Sequence, residues 1–530
     1  MTALARNIVV IVADQLRPDH LRFGGSTAAR TPRLDELARQ GTVFERTFVA
    51  NPICMPNRAT IATGRWPSAH GTRTNGIPLD PAAMTFQQAL REAGWTTAAV
   101  GKLHFQNMGW PFPDDQLHEM RATSPLLLDP SSRDSVGRIN PPEWARAEDY
   151  ELHRADPVPV PVGYYGFDTV DLTIGHGDRV SGHYLAWAKS QGYDPTQVGG
   201  WNHAEVRYEG WSEVYQSPLP LAVHPTTYVT VRARERLHEL HEQGGPFLLY
   251  VSYPDPHHPF APPREFWGTH DPESLPLPST FSNPHLMSPE HIRRLIQERG
   301  TPNPDAALPW APTEDQFRNA LAAELGIIEM LDGGVGAILD ELSALGHDDD
   351  TLVVFTSDHG DLFGDHGLML KHFTHYRAVT NVPLVVRVPD TPAVCRYTGL
   401  TSSADIAPTV LAAVGITPYR GIQGSSVLPL ISGSTTDLRA SLVVEEDQPF
   451  GLPGLPGPVR MRTLITERAR LTEYVGHDIT ELFNLEDDPA ELTDLSLQPE
   501  GRDLLAESRA LLMRELATLA ESGVAPTASA

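Results

Sequence analysis

The chain has 530 residues, 40% of them hydrophobic, enough for a large core and a second, smaller unit. Its 41 Lys and Arg against 67 Asp and Glu leave a formal net charge of −26, which excludes a general affinity for nucleic acid or an anionic membrane surface. An anionic substrate would need a local cluster of cations to overcome that field, and only two cysteines, Cys54 and Cys395, are present, so no disulfide framework exists.

The first apolar run, Ile8–Ala13, is too short to span a bilayer, lacks a small-residue cleavage site and runs straight into Asp14. It reads as a buried strand, and the expectation is a soluble, cytoplasmic protein without a membrane partner. Thr31-Pro32-Arg33-Leu34-Asp35-Glu36-Leu37-Ala38-Arg39-Gln40-Gly41 predicts a helix. Thr31 can cap it, Pro32 suits its first position, Leu34, Leu37 and Ala38 share a face, and Gly41 stops it. Asn51–Thr60 follows, with Cys54, Pro56 and Arg58 opening a short helical run that closes near Gly64. A cysteine there sits at a helix N-terminus, where unpaired N–H groups attract anions, and Arg58 adds a permanently charged fork suited to sulfate or phosphate. A buried structural cysteine beside a surface arginine is the plainer reading.

Thr96–Val100, Pro246–Ser252, Thr351–Thr356 and Val382–Val388 read as further buried strands. Strands alternating with helices predict a mostly parallel sheet covered on both faces. Residues 109–225, rich in proline, tryptophan and tyrosine, break that rhythm and read as an insertion that packs on the sheet or covers a substrate pocket. Trp110, Tyr164, Tyr165, His176, His183, Trp187, Trp201 and Trp211 within it suit either an aromatic pocket or core packing. After about Leu438, short alternating segments (Ser441–Val444, Arg460–Thr466, Arg470–Val475) and a helix over Leu504–Ser522 predict a small antiparallel sheet with a packed helix. The expected organisation is a catalytic domain over 1–437, an α+β subdomain over 438–523 and a disordered tail over 524–530.

Four predicted strands end in reactive side chains. The first ends in Asp14-Gln15, the second in Gly101-Lys102-Leu103-His104, the third runs into Asp255-Pro256-His257-His258, and the fourth ends in Ser357-Asp358-His359-Gly360, with Gly364-Asp365-His366-Gly367 and Lys371 beyond. In open α/β sheets the ligand crevice lies outside the carboxyl ends of the strands, so these groups can meet there. Asp14, Gln15, Asp358 and His359 form an oxygen-rich set with one imidazole, suited to a hard divalent cation. Each piece alone is commonly a cap or a turn; together with Cys54 and Arg58 they point to a catalytic site.

With these residues assembled, the chain resembles the type I sulfatases of the alkaline phosphatase-like superfamily over nearly its whole length. Cys54-Met55-Pro56-Asn57-Arg58 is similar to that family's Cys-x-Pro-x-Arg signature, with Asn57 where serine or alanine is commoner. Gly101-Lys102-Leu103-His104 resembles its Gly-Lys-Trp-His segment with leucine for tryptophan, and Ser357–Gly360, Lys371 and Leu482–Pro489 also match. The family's usual Asp-Asp pair is here Asp14-Gln15.

The resemblance implies an alkaline phosphatase-like α/β fold and sulfuric ester hydrolysis by formylglycine. Cys54 would be converted to it by a formylglycine-generating enzyme, and one hydroxyl of its hydrate, activated by Arg58 and a metal, would attack sulfur. The metal would be calcium first, magnesium or manganese otherwise, held by Asp14, Gln15, Asp358 and His359. Lys102 and Lys371 would neutralise the sulfuryl oxygens, and His257, helped by Lys371, would protonate the leaving alcohol. His104 would deprotonate the second hydroxyl so that sulfate leaves and the aldehyde returns. Asn75 would contact substrate oxygens or the nucleophile, a turn or capping role being the alternative. The expected partner is a small-molecule sulfate ester, with homo-oligomerisation open. The nearest rival is a phosphonate monoester or phosphodiester hydrolase with the same machinery, which by its family pattern carries tyrosine and threonine where this chain has Lys102 and His104. A non-catalytic anion binder would need neither His104 nor His257, and a cofactor-independent mutase would need a second cluster of metal ligands.

Overall fold

The computed structural model describes residues 4–123, 140–304, 308–391 and 396–520. The expected tail, Cys395 and the last residues of the expected C-terminal helix lie outside them. The strands are β1 (Asn7–Ala13), β2 (Thr42–Phe48), β3 (Thr96–Gly101), β4 (Thr169–His176), β5 (Arg179–Gly182), β6 (Phe247–Ser252), β7 (Thr351–Ser357), β8 (Asn381–Val382), β9 (Leu384–Arg387), β10 (Arg396–Ser402), β11 (Ser441–Gln448), β12 (Val459–Thr466), β13 (Ala469–Val475) and β14 (Thr480–Asn484). A ten-stranded sheet runs β10-β2-β9-β7-β1-β6-β3-β4-β5, with β8 beside β2. Its centre, β7-β1-β6-β3-β4, is parallel.

The apolar run of β1 shows why a parallel sheet forms. Val9, Ile11 and Ala13 pack into one core with residues of helices Pro225–Gln243 and Glu314–Ala344. Ile8, Val10 and Val12 pack into a second core with Ala59, Ile61 and Ala62 of helix Cys54–Thr63 and with Ile406–Ala413. A strand buried on both faces needs apolar residues at every position, and so loses the alternation of a half-exposed one.

Three expectations change. Val382–Val388 is two antiparallel pieces, β8 and β9, separated at Pro383, which brings no N–H to a ladder. Helix Pro32–Gln40 forms as expected and Gly41 ends it, but the Thr31 hydroxyl accepts from the Arg22 N–H (3.1 Å) and does not cap the helix. Residues 109–225 are not all appended to the sheet, because β4 and β5 within them extend it. The alternation of Val170, Leu172 and Ile174 carried that signal.

The C-terminal strands form a separate antiparallel sheet, β11-β12-β13-β14. Helix Arg502–Leu519 covers one face, its Leu504 and Leu512 packing on Val443, Leu464, Leu471 and Leu482. Arg470 of β13 is buried between Glu491, to which its Nε donates, and the rings of Phe483 and Tyr376, 4.4 and 5.0 Å from its guanidinium carbon. Glu491 also accepts from the Arg377 N–H (2.8 Å), so this ion pair ties the small sheet to the large one. Arg470→Met should cost about 3–5 kcal/mol, because Glu491 is left buried without its cation. Urea denaturation should show it as a lower midpoint at unchanged slope. Among the described residues no helix is long and apolar enough to cross a membrane.

Candidate active site

The strand order β7-β1-β6-β3 puts four carboxyl ends side by side, and each delivers side chains into one buried cluster. Asp14 follows β1, Lys102 follows β3, His257 and His258 follow β6, and Asp358 and His359 follow β7. Gly101 makes the Lys102 turn possible: its φ is +105°, and a Cβ there would lie 1.8 Å from the Ser252 carbonyl oxygen.

Cys54 is the first residue of its helix and is buried. Its Sγ lies 3.1 Å from His359 Nε2, 3.8 Å from Lys371 Nζ and 4.0 Å from Asp14 Oδ1. Burial, only partly offset by Lys102 and Lys371, pushes the thiol's pKa up, the opposite of what a thiolate nucleophile needs. Arg58, one turn along, is wholly buried: Nε donates to Asp358 Oδ2 (2.7 Å), Nη1 to the Lys102 carbonyl and Ser252 Oγ (2.7 Å each), and Nη2 lies 3.4 Å from Asp14 Oδ2. Burial alone would raise the Asp358 pKa, but Arg58, His359 and Lys102 together hold it well below the usual carboxylate range. Lys102 Nζ donates to Asp14 Oδ2 and reaches His176 Nε2 (2.6 Å).

Ligand atoms of Asp14, Cys54, Asp358 and His359 all lie within 4.8 Å of one another. Two carboxylates and one imidazole beside the Cys54 Sγ fit a hard divalent cation. His359 donates Nδ1–H to the Gly360 carbonyl (2.8 Å), which turns Nε2 toward the set. Burial, outweighing Asp358, brings the His359 pKa down to about 4, the neutral form a metal ligand requires.

Gln15 takes another position. Its Oε1 accepts from Lys371 Nζ (2.6 Å), its Nε2 donates to Asp361 Oδ2 (2.7 Å), and its backbone N–H donates to Asp358 Oδ1 (3.0 Å). Its carbonyl oxygen thus meets Lys371. His257 Nδ1 donates to the His258 carbonyl (2.6 Å), leaving Nε2 to accept from Lys371 Nζ (2.9 Å). Burial first, then His176 and Lys371, pushes the His257 pKa well below the ordinary imidazole value. His257 Nε2 thus faces the Lys371 ammonium as an acceptor. His104 lines the same cavity, buried, with no hydrogen-bond partner for Nδ1 among the described residues. Asn75 does two things: Oδ1 accepts from the Met55 N–H (3.2 Å) at the helix start, and the residue also lines the cavity.

Two residues gain a place the sequence reading did not give them. His176, at the end of β4, stacks on His257 with ring centroids 3.7 Å apart and bonds Lys102, in a segment read as an insertion. Asn57 donates Nδ2 to the Asp358 carbonyl (2.5 Å) and accepts from Ser403 Oγ (2.7 Å), binding helix Cys54–Thr63 to two neighbouring segments. The Gly364–Gly367 motif goes elsewhere: His366 stacks on Tyr376 at 3.7 Å, away from Cys54.

The cavity above Cys54 has a volume of about 690 Å³. Met108, Trp110, Phe112 and Tyr150 line it together with His257, His258, Lys371 and His372. Arg179 also reaches it, and no carboxylate does among the described lining residues.

Fold and site together place the chain in the alkaline phosphatase-like class of hydrolases. Residues 6–143 and 181–416 match the Sulfatase family, and residues 364–519 match the N-sulphoglucosamine sulphohydrolase C-terminal family. The chain belongs to the sulfatase family. It is 26% identical over 508 residues to a choline-sulfatase of Rhizobium meliloti (strain 1021), covering 94% of this chain and 84% of that protein. It is 27% identical to a multifunctional alkaline phosphatase superfamily protein of Trinickia caryophylli, covering 83% and 80% of the two chains. Among solved structures, the phosphonate monoester hydrolase of Agrobacterium radiobacter superposes with a TM-score of 0.75 at 24% identity, over 97% of this chain and 96% of that one, a likeness of fold.

Proposed function

We propose that the protein hydrolyses sulfate monoesters, with Cys54 converted to formylglycine by a formylglycine-generating enzyme and one divalent cation beside it. The observation that carries this reading is the convergence of Arg58, Lys102 and Lys371 with Asp14, Asp358 and His359 around the Cys54 side chain. Asp14, Asp358 and His359 would hold the cation, calcium first among candidates for its preference for oxygen ligands. When bound, it would polarise the nucleophile and neutralise charge at sulfur, and formylglycine would supply a hydrated aldehyde in place of a thiol.

The chain's own residues do the rest. Arg58 fixes Asp14 and Asp358 and contributes charge at the floor of the cavity. Lys102 and Lys371 supply cations for the sulfuryl oxygens in a protein that is otherwise strongly acidic. Lys371, hydrogen-bonded to His257 Nε2, delivers the proton that the departing alkoxide needs as the S–O bond breaks. His104, through its unpartnered Nδ1, takes a proton back when sulfate is released. Asn75 fixes the Met55 N–H and faces the substrate. Gln15 orients Lys371 and supports Asp358 through its backbone.

Trp110, Phe112 and Tyr150 favour a flat organic group; Arg179 reaches the same wall but is ion-paired with the buried Glu213 and so does not select on substrate charge. The reading is thus an aryl sulfatase, active in the cytoplasm. Phosphonate monoester or phosphodiester hydrolysis is the second reading, favoured by the similarity to the multifunctional relative. The deciding measurement is kcat/KM for aryl sulfate, alkyl sulfate, choline sulfate, phosphodiester and phosphonate monoester, on protein whose Cys54 peptide is shown by mass spectrometry to carry formylglycine. Aryl sulfate should lead. Active enzyme carrying only the thiol would refute the mechanism, and a diester in first place would give the second reading.

A further inference from the structure

Lys371 sits in an unusual stretch of backbone. Leu370, His372 and Phe373 all have positive φ (+70°, +82° and +59°), a region that residues with a Cβ avoid. Such a run persists only when its surroundings over-determine it. Much of that support comes from β11 of the C-terminal sheet.

Glu446, on β11, is 1% exposed. Its Oε1 accepts from the Phe373 N–H (3.2 Å) and from Gln448 Nε2 (3.0 Å), and its Oε2 lies 3.0 Å from His375 Nε2. Gln448 Nε2 also reaches His372 Nδ1 (2.9 Å), and Thr74, next to Asn75, donates to Gln448 Oε1 (3.4 Å). The Phe373 carbonyl accepts in turn from Tyr474 of β13 (3.1 Å). Two alternate residues of one strand thus hold His372, Phe373 and His375, which follow Lys371. A buried carboxylate is costly to desolvate, and here it spends its oxygens on two groups of a single loop and one of its own strand.

We infer that Glu446 is a positioning residue for leaving-group protonation: the C-terminal sheet, acting through Phe373, His375 and Gln448, holds Lys371 in reach of both His257 Nε2 and the ester oxygen. This rests on the sulfatase reading above, in which Lys371 carries the proton. The small sheet is then part of the catalytic apparatus, although Glu446 touches no substrate.

Glu446→Gln keeps the shape but gives one oxygen up to an amide that cannot accept. The full-length, formylglycine-bearing, metal-loaded protein should be assayed against aryl sulfates of increasing leaving-group pKa. Protonation matters little for a nitrophenolate and much for an unsubstituted phenolate. The variant should therefore lose about tenfold in kcat for the poorest leaving groups and about twofold or less for the best, with KM little changed. Glu445→Gln is the control, since that buried neighbour accepts instead from the Ser68 N–H (2.8 Å), and its leaving-group slope should equal the wild type's. An equal loss across all leaving groups, or no loss, would overturn the inference. If Glu446→Gln does not fold, Gln448→Leu replaces it with the same expected change of slope, and a wild-type slope there overturns the inference equally. Lys371→Ala separates the two levels: if it leaves the slope unchanged, Lys371 is not the acid, and the mechanism proposed above is at fault.

Discussion

Asp358→Ala is expected to abolish turnover, by about 10³-fold or more, and to release the divalent cation. Asp358 answers to four groups at once. Oδ2 accepts from Arg58 Nε (2.7 Å), Oδ1 from the Gln15 N–H (3.0 Å), and both Asp14 and His359 share its ligand set. Its loss leaves Arg58 buried with, among the described residues, the 3.4 Å contact to Asp14 as its remaining ionic partner, a penalty of about 3–5 kcal/mol for a broken buried pair. Elemental analysis and kcat on the same preparation read both effects, with thermal unfolding as a check that the chain still folds. Gln15→Ala is the contrast. Because its oxygen goes to Lys371, it should keep the cation and lose rate chiefly with poor leaving groups. Full metal occupancy in Asp358→Ala would refute the proposed ligand set.

The second large effect is expected at Lys102. A sulfate monoester offers three free oxygens, whereas a phosphodiester replaces one of them by an ester arm. Lys102 is wholly buried, with Nζ against Asp14 Oδ2 and 2.6 Å from Nε2 of His176, which lines the cavity; on the proposed reading it would meet the third oxygen there and crowd an ester arm at that place. Lys102→Ala should cost sulfate ester hydrolysis about 1.5–3 kcal/mol, one to two decades in kcat/KM. Diester hydrolysis should fall less, or rise. Because Lys102 also neutralises Asp14, metal content must be measured alongside, and the ratio of the two activities is the quantity that tests the claim. An equal loss on both substrates would show that Lys102 serves the cation rather than substrate choice.

The position of the small sheet alters how such variants should be read. Arg470 locks it to the segment around Arg377, and Glu446 locks it to the loop of Lys371. A substitution in β11 or β13 can therefore change catalysis while standing outside the cavity.

Much of this protein was legible in its residues alone. Local patterns carried the strands of β1, β3, β6 and β7, because a strand buried on both faces must be apolar throughout, and the reactive residues follow directly at their carboxyl ends. Cys54, Arg58, Lys102, His257, Asp358 and His359 could be placed together for that reason: strand order in a parallel sheet converts four distant sequence positions into neighbours. The sequence could not say what each polar atom faces. Gln15 stands beside Asp14 in the chain, yet its carbonyl oxygen meets Lys371, a choice made by the loop after β7. His176 comes from a stretch without clear helical rhythm and reads there as one aromatic among many, but β4 delivers it against His257. Glu446 carried no signal at all, since a lone acidic residue in an alternating strand reads as surface until the partner loop is known. Residue type and spacing fix the chemistry that is available; which oxygen meets which cation depends on contacts across hundreds of residues, and only the tertiary structure decides them.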